Sequence, residues 1–393
     1  MSAAPDHAPA WVTPLLAAAC GLIAANLYYT QPLAGPIAAA LGLPPAAAGV
    51  IVTMTQVGYG LGLLFIVPLG DLLETRSLVR AVLSLAALAL IGGALSNAPA
   101  PFLICALLTG LGSVAVQILV PYASHLAPER ERGRVVGQVM GGLMIGIMLA
   151  RPASSLIAGF GSWRTVLLLS GGLMVGMAIL LGRVLPLRRP ERGMGYGALI
   201  VSMGRLMLDT PILRRRALYQ AAMFGAFSVF WTASPLLLLG PQYGLSQHQV
   251  ALFALVGAGG AISAPLAGRW ADRGLIRIGS ALALAGGVAA FLASRLAPAH
   301  SDLGVVILGA AGVLLDFAVS ANLVFGQKLI YGLSAQHRSR MNGLYMATFF
   351  SGGAIASGLA GWAYAQGGWS AVSWLGAALP AAALAYFATE RRP

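Results

Sequence analysis

Two charged residues stand inside long apolar runs: Arg151 within LMIGIMLA-Arg-PASSLIAGF and Asp316 within VVILGAAGVLL-Asp-FAVSANLVF. Each costs roughly 2.5–3.5 kcal/mol at the centre of a lipid bilayer on insertion scales, so both must face a protein interior or a wet cavity. Asp316 is the one acidic residue so deep in an apolar run, and a carboxyl withdrawn from water can take up and release a proton. Arg151, permanently charged, can serve as its counter-ion. Counting about 1.5 Å per residue puts Asp316 some 20 Å from one face of the membrane and Arg151 some 24 Å from the other, so their depths differ and a direct pair stays open. A purely structural polar contact between helices is the competing reading for each.

The elements that position them follow from composition. Of 393 residues, 58% are hydrophobic and 9% charged, against about a quarter charged in soluble domains. Apolar runs fall at 12–39, 46–70, 78–97, 101–124, 135–159, 165–185, 217–240, 247–270, 276–296, 303–327, 341–365 and 370–388. Each is long enough to cross about 30 Å of hydrocarbon as a helix, and none alternates as barrel strands do. The expectation is an all-α integral membrane protein of twelve transmembrane helices, in two six-helix pseudo-repeats around a central cavity. No cleavable signal peptide is expected, since MSAAPDHAPA has no basic residue.

The net charge of +13 is a topology signal. Nearly all Lys and Arg lie in or beside the loops and tails of one face, with Arg164 and Arg295 on the other. By the positive-inside rule both termini are cytoplasmic. A basic strip beside lipid needs no nucleic acid to explain it. Cys20 and Cys105 lie in separate spans, and the histidines 7, 125, 248, 300 and 337 are scattered at or beyond span ends. No metal cluster, cofactor loop or nucleophile–base pair appears, so neither a cofactor nor an enzyme is expected. A monomer is expected.

The long connection 186–216 divides the chain into a first half, 1–185, and a second, 217–393. Within it, 198–208 is amphipathic, fitting either a helix along the membrane surface or a disordered strap. The halves echo one another: Tyr28-x3-Pro32-Leu33 with Trp231-x3-Pro235-Leu236 at an offset of 203, Gly42-Leu43 with Gly244-Leu245 at 202, Asp71 with Asp272 at 201, and Gly161-Ser-Trp163 with Gly367-Gly-Trp369 at 206. Repeats in parallel orientation point to a site between two rocking halves. Gly58-x3-Gly62, Gly137-x3-Gly141, Gly142-x3-Gly146, Gly352, Gly353, Gly358 and Gly361 would let the halves meet and slide, or simply pack helices.

With these features the chain resembles the major facilitator superfamily, and within it the twelve-span bacterial drug-proton antiporter branch. Gly268-Arg-Trp-Ala-Asp272-Arg273-Gly274 resembles the family's loop signature, and Pro68-Leu-Gly-Asp71-Leu-Leu-Glu74-Thr-Arg76 its counterpart, with Glu74 where glycine is usual. The resemblance implies that Asp71 and Asp272 latch the cytoplasmic gate, Asp71 with Arg76 toward Arg340 and Asn342, and Asp272 with Arg273 toward Arg134. Anchoring of each helix end at the interface is the plainer reading. Two positions depart from the pattern: Ala106 stands where an arginine precedes Gly110, and Arg151-Pro152 where a Gly-Pro is common. Polar and aromatic residues of the spans are candidates for the cavity wall: Asn26, Tyr29, Gln31, Gln56, Tyr59, Gln117, Phe224, Phe227, Trp231, Asn322, Asn342, Tyr345 and Phe349. The resemblance implies transport of a small molecule, with protons and membrane lipid the other partners. Export of amphipathic molecules in exchange for protons is the leading expectation, on the aromatic lining. Movement of a specific polar metabolite, such as a sugar or amino-acid derivative, is the alternative, on the Gln and Asn lining.

Overall fold

A computed structural model describes residues 11–127, 130–187, 195–334 and 337–390; part of the expected linker and both outermost tails lie outside them. In hydrocarbon every backbone amide must find its partner within the chain, which leaves helices as the economical solution for these runs. In order they are α1 (Val12–Ala25), α2 (Ala34–Ala40), α3 (Ala48–Phe65), α4 (Thr75–Leu95), α5 (Pro99–Ser113), α6 (Ala115–Leu126), α7 (Arg132–Phe160), α8 (Trp163–Val184), α9 (Tyr196–Asp209), α10 (Pro211–Leu239), α11 (Gln247–Val256), α12 (Ser263–Asp272), α13 (Ile276–Ser294), α14 (Asp302–Leu333) and α15 (Arg338–Ala388). Among the described residues nine helices are long and apolar enough to cross a membrane. The chain is an all-α, multi-spanning membrane protein whose helices pack in two lobes.

Several expected runs are broken or extended. The first bends through turns at 26–33 between α1 and α2, and the eighth passes through a 3₁₀ segment, Gly257–Ile262, between α11 and α12. The last two expected runs are continuous over the 51 residues of α15, which bends where Gly367 and Gly368 leave helical geometry. α10 begins at Pro211, taking the end of the expected linker into its first turns, and α14 continues to Leu333.

Short polar side chains start the helices. Glu74 accepts from Arg76 N and Ser77 N, both at 2.8 Å, which satisfies two orphan amides of α4. With φ −61° at Glu74, this position needs no glycine, which accounts for the departure from the loop pattern. In the second-half loop the turn is instead made by Gly274 at φ +77°. Ser246 and Gln249 form a reciprocal capping box at α11.

The internal echoes are structural. Gly42 and Gly244 both adopt the left-handed conformation, at φ +72° and +61°, which glycine enters without steric cost. Gly161 ends α7 ahead of Trp163, and Gly367–Gly368 bend α15 ahead of Trp369.

Several of the expected sliding glycines work inside one lobe. A Cβ on Gly58 would collide with Leu107 O, one on Gly110 with Thr55 O, and one on Gly142 with Ala17, so α3 meets α5 and α1 meets α7 backbone to backbone. Gly137 and Gly141 have open space around them instead. The contact between lobes is made by Gly49, where a Cβ would strike Ser357 O, and by the expected Gly358 and Gly361 of α15, which face Thr53 and Gly49.

That contact lies at the end opposite the basic loops. There Thr53 Oγ1 donates to Ala354 O at 2.9 Å and lies 3.0 Å from Ser357 Oγ, binding α3 to α15. On the other flank the His248 ring of α11 packs on Gly159 and, edge-on at 4.8 Å, on Phe160 of α7. At the basic end the same α7 exposes Gly137, Gln138, Met140 and Gly141, and α12 exposes Leu266, Arg269 and Trp270. The lobes are therefore joined at one end and parted along α7 and α12 at the other.

Below them, α9 resolves the linker as a helix. It buries Leu199 and Met203, Met203 packing with Leu213, Met341 and Tyr345, while Tyr196 Oη donates to Phe65 O at 2.8 Å. One amphipathic helix thus touches both lobes.

Candidate functional site

Arg151 and Asp316 meet. Arg151 Nη2 lies 3.9 Å from Asp316 Oδ2, and both side chains are at least nine-tenths buried, at 6% and 7% exposure. Counting residues along the helices separates them in depth, because it ignores side-chain direction and length. An arginine leans toward the N-terminus of its own helix, here the basic end, and reaches several ångströms further. Arg151 belongs to α7 of the first lobe and Asp316 to α14 of the second, so the ion pair bridges the two.

Aromatic rings complete the setting. The Arg151 guanidinium lies 4.0 Å from the Trp231 ring centroid, 4.9 Å from Phe227 and 6.0 Å from Tyr28, within range of cation–π attraction. Tyr28 and Trp231 are the repeat-related pair, one from each lobe. Trp231 Nε1 also donates to Asp316 Oδ1 at 2.8 Å, so one indole stacks on the cation and holds its counter-ion. The 3₁₀ break sits against this group: a Cβ on Gly257 would come within 2.9 Å of Asp316 Oδ2 and within 2.6 Å of Trp231, and one on Gly260 within 2.5 Å of Asp316 Cβ. Only glycine permits so close an approach, and mid-helix 3₁₀ turns often mark hinges.

The remaining cavity candidates are distributed around this centre. Gln56 Nε2 donates to Ser228 Oγ at 3.1 Å, linking α3 with α10 across the lobes. Gln117 Nε2 donates to Tyr59 Oη at 3.0 Å, and the Tyr59 ring tilts on Phe350 at 4.4 Å. Asn322 Nδ2 donates to Gln220 Oε1 at 2.6 Å within the second lobe. Gln31 is fully buried with both amide atoms free of hydrogen bonds among the described residues. Asn26 accepts from Ser170 at 2.5 Å and lines, with Thr30 and Thr109, a small pocket wholly inside the first lobe; Tyr29 also lies by Ser170. Asn342 accepts from Tyr331 at 2.9 Å, and Tyr345 packs with the linker helix, both toward the basic end and away from Arg151.

The latch pairs expected from the loop signatures are apart. Asp71 is exposed, and among the described residues no hydrogen bond or ion pair joins it to Arg340, which donates to Ser202 of α9 at 3.2 Å. Asp272 pairs with Lys328 of its own lobe at 2.8 Å, both exposed, and Arg134 and Arg273 are exposed. Arg76 turns to Leu185 O at 3.5 Å. This matches the parted basic end, where the loops that would latch are separated.

Sequence reasoning missed two groups. Tyr28 was legible through its echo of Trp231. The buried Arg216, which donates to Glu390 at 2.9 Å and to Ser280 at 2.9 Å, was not, since it closes a contact between the start of α10 and the segment after α15.

The fold and site define a two-lobed membrane protein with a charge pair at the lobe interface, and the chain belongs to the Major Facilitator Superfamily, whose sequence profile matches residues 16–312 and 216–393. It is 39% identical to the uncharacterized transporter YgaY of Escherichia coli O157:H7, over 95% of this chain and 94% of that one. It shares its fold with the nucleoside transporter NupG (TM-score 0.74, 14% identity, 96% and 98% covered) and with a D-xylose-proton symporter (TM-score 0.68, 18% identity, 96% and 97% covered). All three are transporters, in keeping with the reading that excluded an enzyme.

Proposed function

We propose that the chain is a secondary transporter of the bacterial inner membrane that couples movement of a specific polar small molecule to protons by alternating access. Its twelve spans form halves 1–185 and 217–393 around a central site, joined by 186–216, with both termini cytoplasmic and the chain acting as a monomer. The count follows if each broken run, Val12–Ala40 and Gln247–Asp272, crosses once and α15 crosses twice. The basic end then faces the cytoplasm, and the arrangement is open inward.

One observation carries this reading: a buried Arg151–Asp316 pair whose partners come from different lobes. Rocking of the lobes changes their separation, and with it the cost of leaving Asp316 charged. Asp316 is the proton carrier and Arg151 its counter-ion; Asp71, Arg76, Arg134, Asp272, Arg273 and Arg340 form latches when the cytoplasmic end closes. Gln31, Gln56, Trp231 and Phe227 contact the transported molecule. The nucleoside transporter and the D-xylose-proton symporter that share the fold fit a polar substrate.

Proton-driven export of amphipathic molecules, as in the drug-proton antiporter branch, is the second reading. The rings of Phe224, Phe227, Phe349 and Phe350 favour it, although Phe224 and Phe349 stack on each other at 3.7 Å and so serve packing first.

The test is proton flux in proteoliposomes loaded with a pH-sensitive dye, presented in turn with sugars, nucleosides, amino-acid derivatives and lipophilic cationic dyes. We expect a polar solute to move protons through wild type and not through Asp316→Asn. Flux with the cationic dyes alone would select the second reading, and undiminished flux in Asp316→Asn would remove the carboxyl from the coupling role.

A further inference from the structure

Arg151 is 5% exposed, and its Nε and Nη1 make no hydrogen bond with any described residue. Asp316 approaches only Nη2, and 3.9 Å is beyond hydrogen-bond reach. Asp316 is meanwhile held elsewhere, by the Trp231 indole at 2.8 Å. A buried guanidinium so thinly occupied is unusual, because buried polar groups are normally hydrogen-bonded.

A guanidinium grips a planar oxyanion with two parallel N–H bonds, through either Nε with Nη2 or Nη1 with Nη2. Both forks use Nη2, the nitrogen that faces Asp316. A carboxylate in either fork therefore sits against Asp316, and two carboxylates so close cannot both stay charged. Around the guanidinium lie the rings of Trp231 and Phe227, at 4.0 and 4.9 Å from its carbon, apolar neighbours for a flat body attached to the anion.

We propose that the transported molecule is a monocarboxylate with a flat or aromatic body, bound through its carboxylate to Arg151 in place of Asp316. This rests on the reading of the lobe interface as the transport site and names its substrate class. Displaced from Nη2, the Asp316 carboxylate binds a proton from water at Oδ2 while Oδ1 keeps the indole N–H bond; Arg151 stays cationic throughout. Anion and proton thus enter the site together, and their charges cancel.

The test uses the purified full chain in detergent, with melting followed by intrinsic fluorescence. The probes are millimolar benzoate and phenylpropionate, their uncharged amides, and benzylamine. We expect both carboxylates to raise the melting temperature of wild type, and the amides and amine to leave it unchanged. Asp316→Asn, relieved of the competitor, should bind the carboxylates at least as well as wild type. Because Arg151→Gln alone strands a buried carboxylate, the decisive variant is Arg151→Gln with Asp316→Asn, which keeps the site neutral and should bind them about tenfold or more weakly. Equal stabilisation by an amide or by benzylamine would overturn the assignment, as would an undiminished response in the double variant or no carboxylate response in either wild type or Asp316→Asn. Carboxylate binding without proton flux on any solute would keep this site and remove the transport reading. Proton flux with a neutral or cationic solute and no carboxylate response would do the reverse.

Discussion

Arg151 and Asp316 are each tolerable only because the other is present. Removing one partner of a buried pair costs roughly 3–5 kcal/mol, since the survivor remains uncompensated, whereas neutralising both is often nearly free. Arg151→Gln and Asp316→Asn should each lower the melting temperature more than the double variant does. A double variant that loses as much as the two singles combined would show that the pair is not coupled. The same logic gives the exposed Asp272–Lys328 pair about 0–1 kcal/mol at most. At this scale the sequence identified Arg151 and Asp316 as buried charges, because an ionisable group in an apolar run is visible in one dimension, and it missed the buried Arg216, which stands among other basic residues at the end of a run. Their meeting was not visible, because a side chain's lean along its helix is a three-dimensional property. The indole linking them could be inferred only in part, from the echo of Tyr28 in Trp231.

The helices themselves were legible from apolar run length, and their interruptions were not. The 26–33 turns fall on NLYYTQPL, where Asn, Gln and Pro interrupt the apolar run, and the 257–262 segment on the glycine-rich GAGGAI, so composition marks both places without fixing that a helix breaks there. Gly257 and Gly260 fit against Trp231 and Asp316, and alanine at Gly260 should force α14 away from the break. We expect Gly260→Ala to lower proton flux in the liposome assay at normal membrane expression; wild-type flux would show that the close approach is dispensable. At the α4 start, Glu74→Ala should cost about 1 kcal/mol, the usual loss for a capping side chain, readable in the melting temperature.

At the scale of the molecule, one end is joined and the other parted. Cysteine at Gly137 or Gly141, which have open space around them, should react quickly with a water-soluble maleimide, and cysteine at Thr53, in the α3–α15 contact, slowly. The background should lack Cys20 and Cys105. Gly49→Val places a side chain against Ser357 O and should invert that pattern by wedging the joined end apart; unchanged labelling rates would show that this contact does not hold the end closed. Two lobes were readable from the offset echoes. Which end is open was not, since it depends on separations between loops far apart in the chain.

The buried contact between Arg216 and Glu390 also sets a schedule for biosynthesis. The two residues are 174 positions apart, so at roughly 5–20 residues per second a ribosome delivers the glutamate about 10–35 s after the arginine. Through that interval α10 is already made, and its first turns carry a guanidinium whose permanent partner does not yet exist. A truncation that removes Glu390 leaves the Arg216 guanidinium with Ser280 as its remaining hydrogen-bond partner among the described residues, a loss confined to the second lobe.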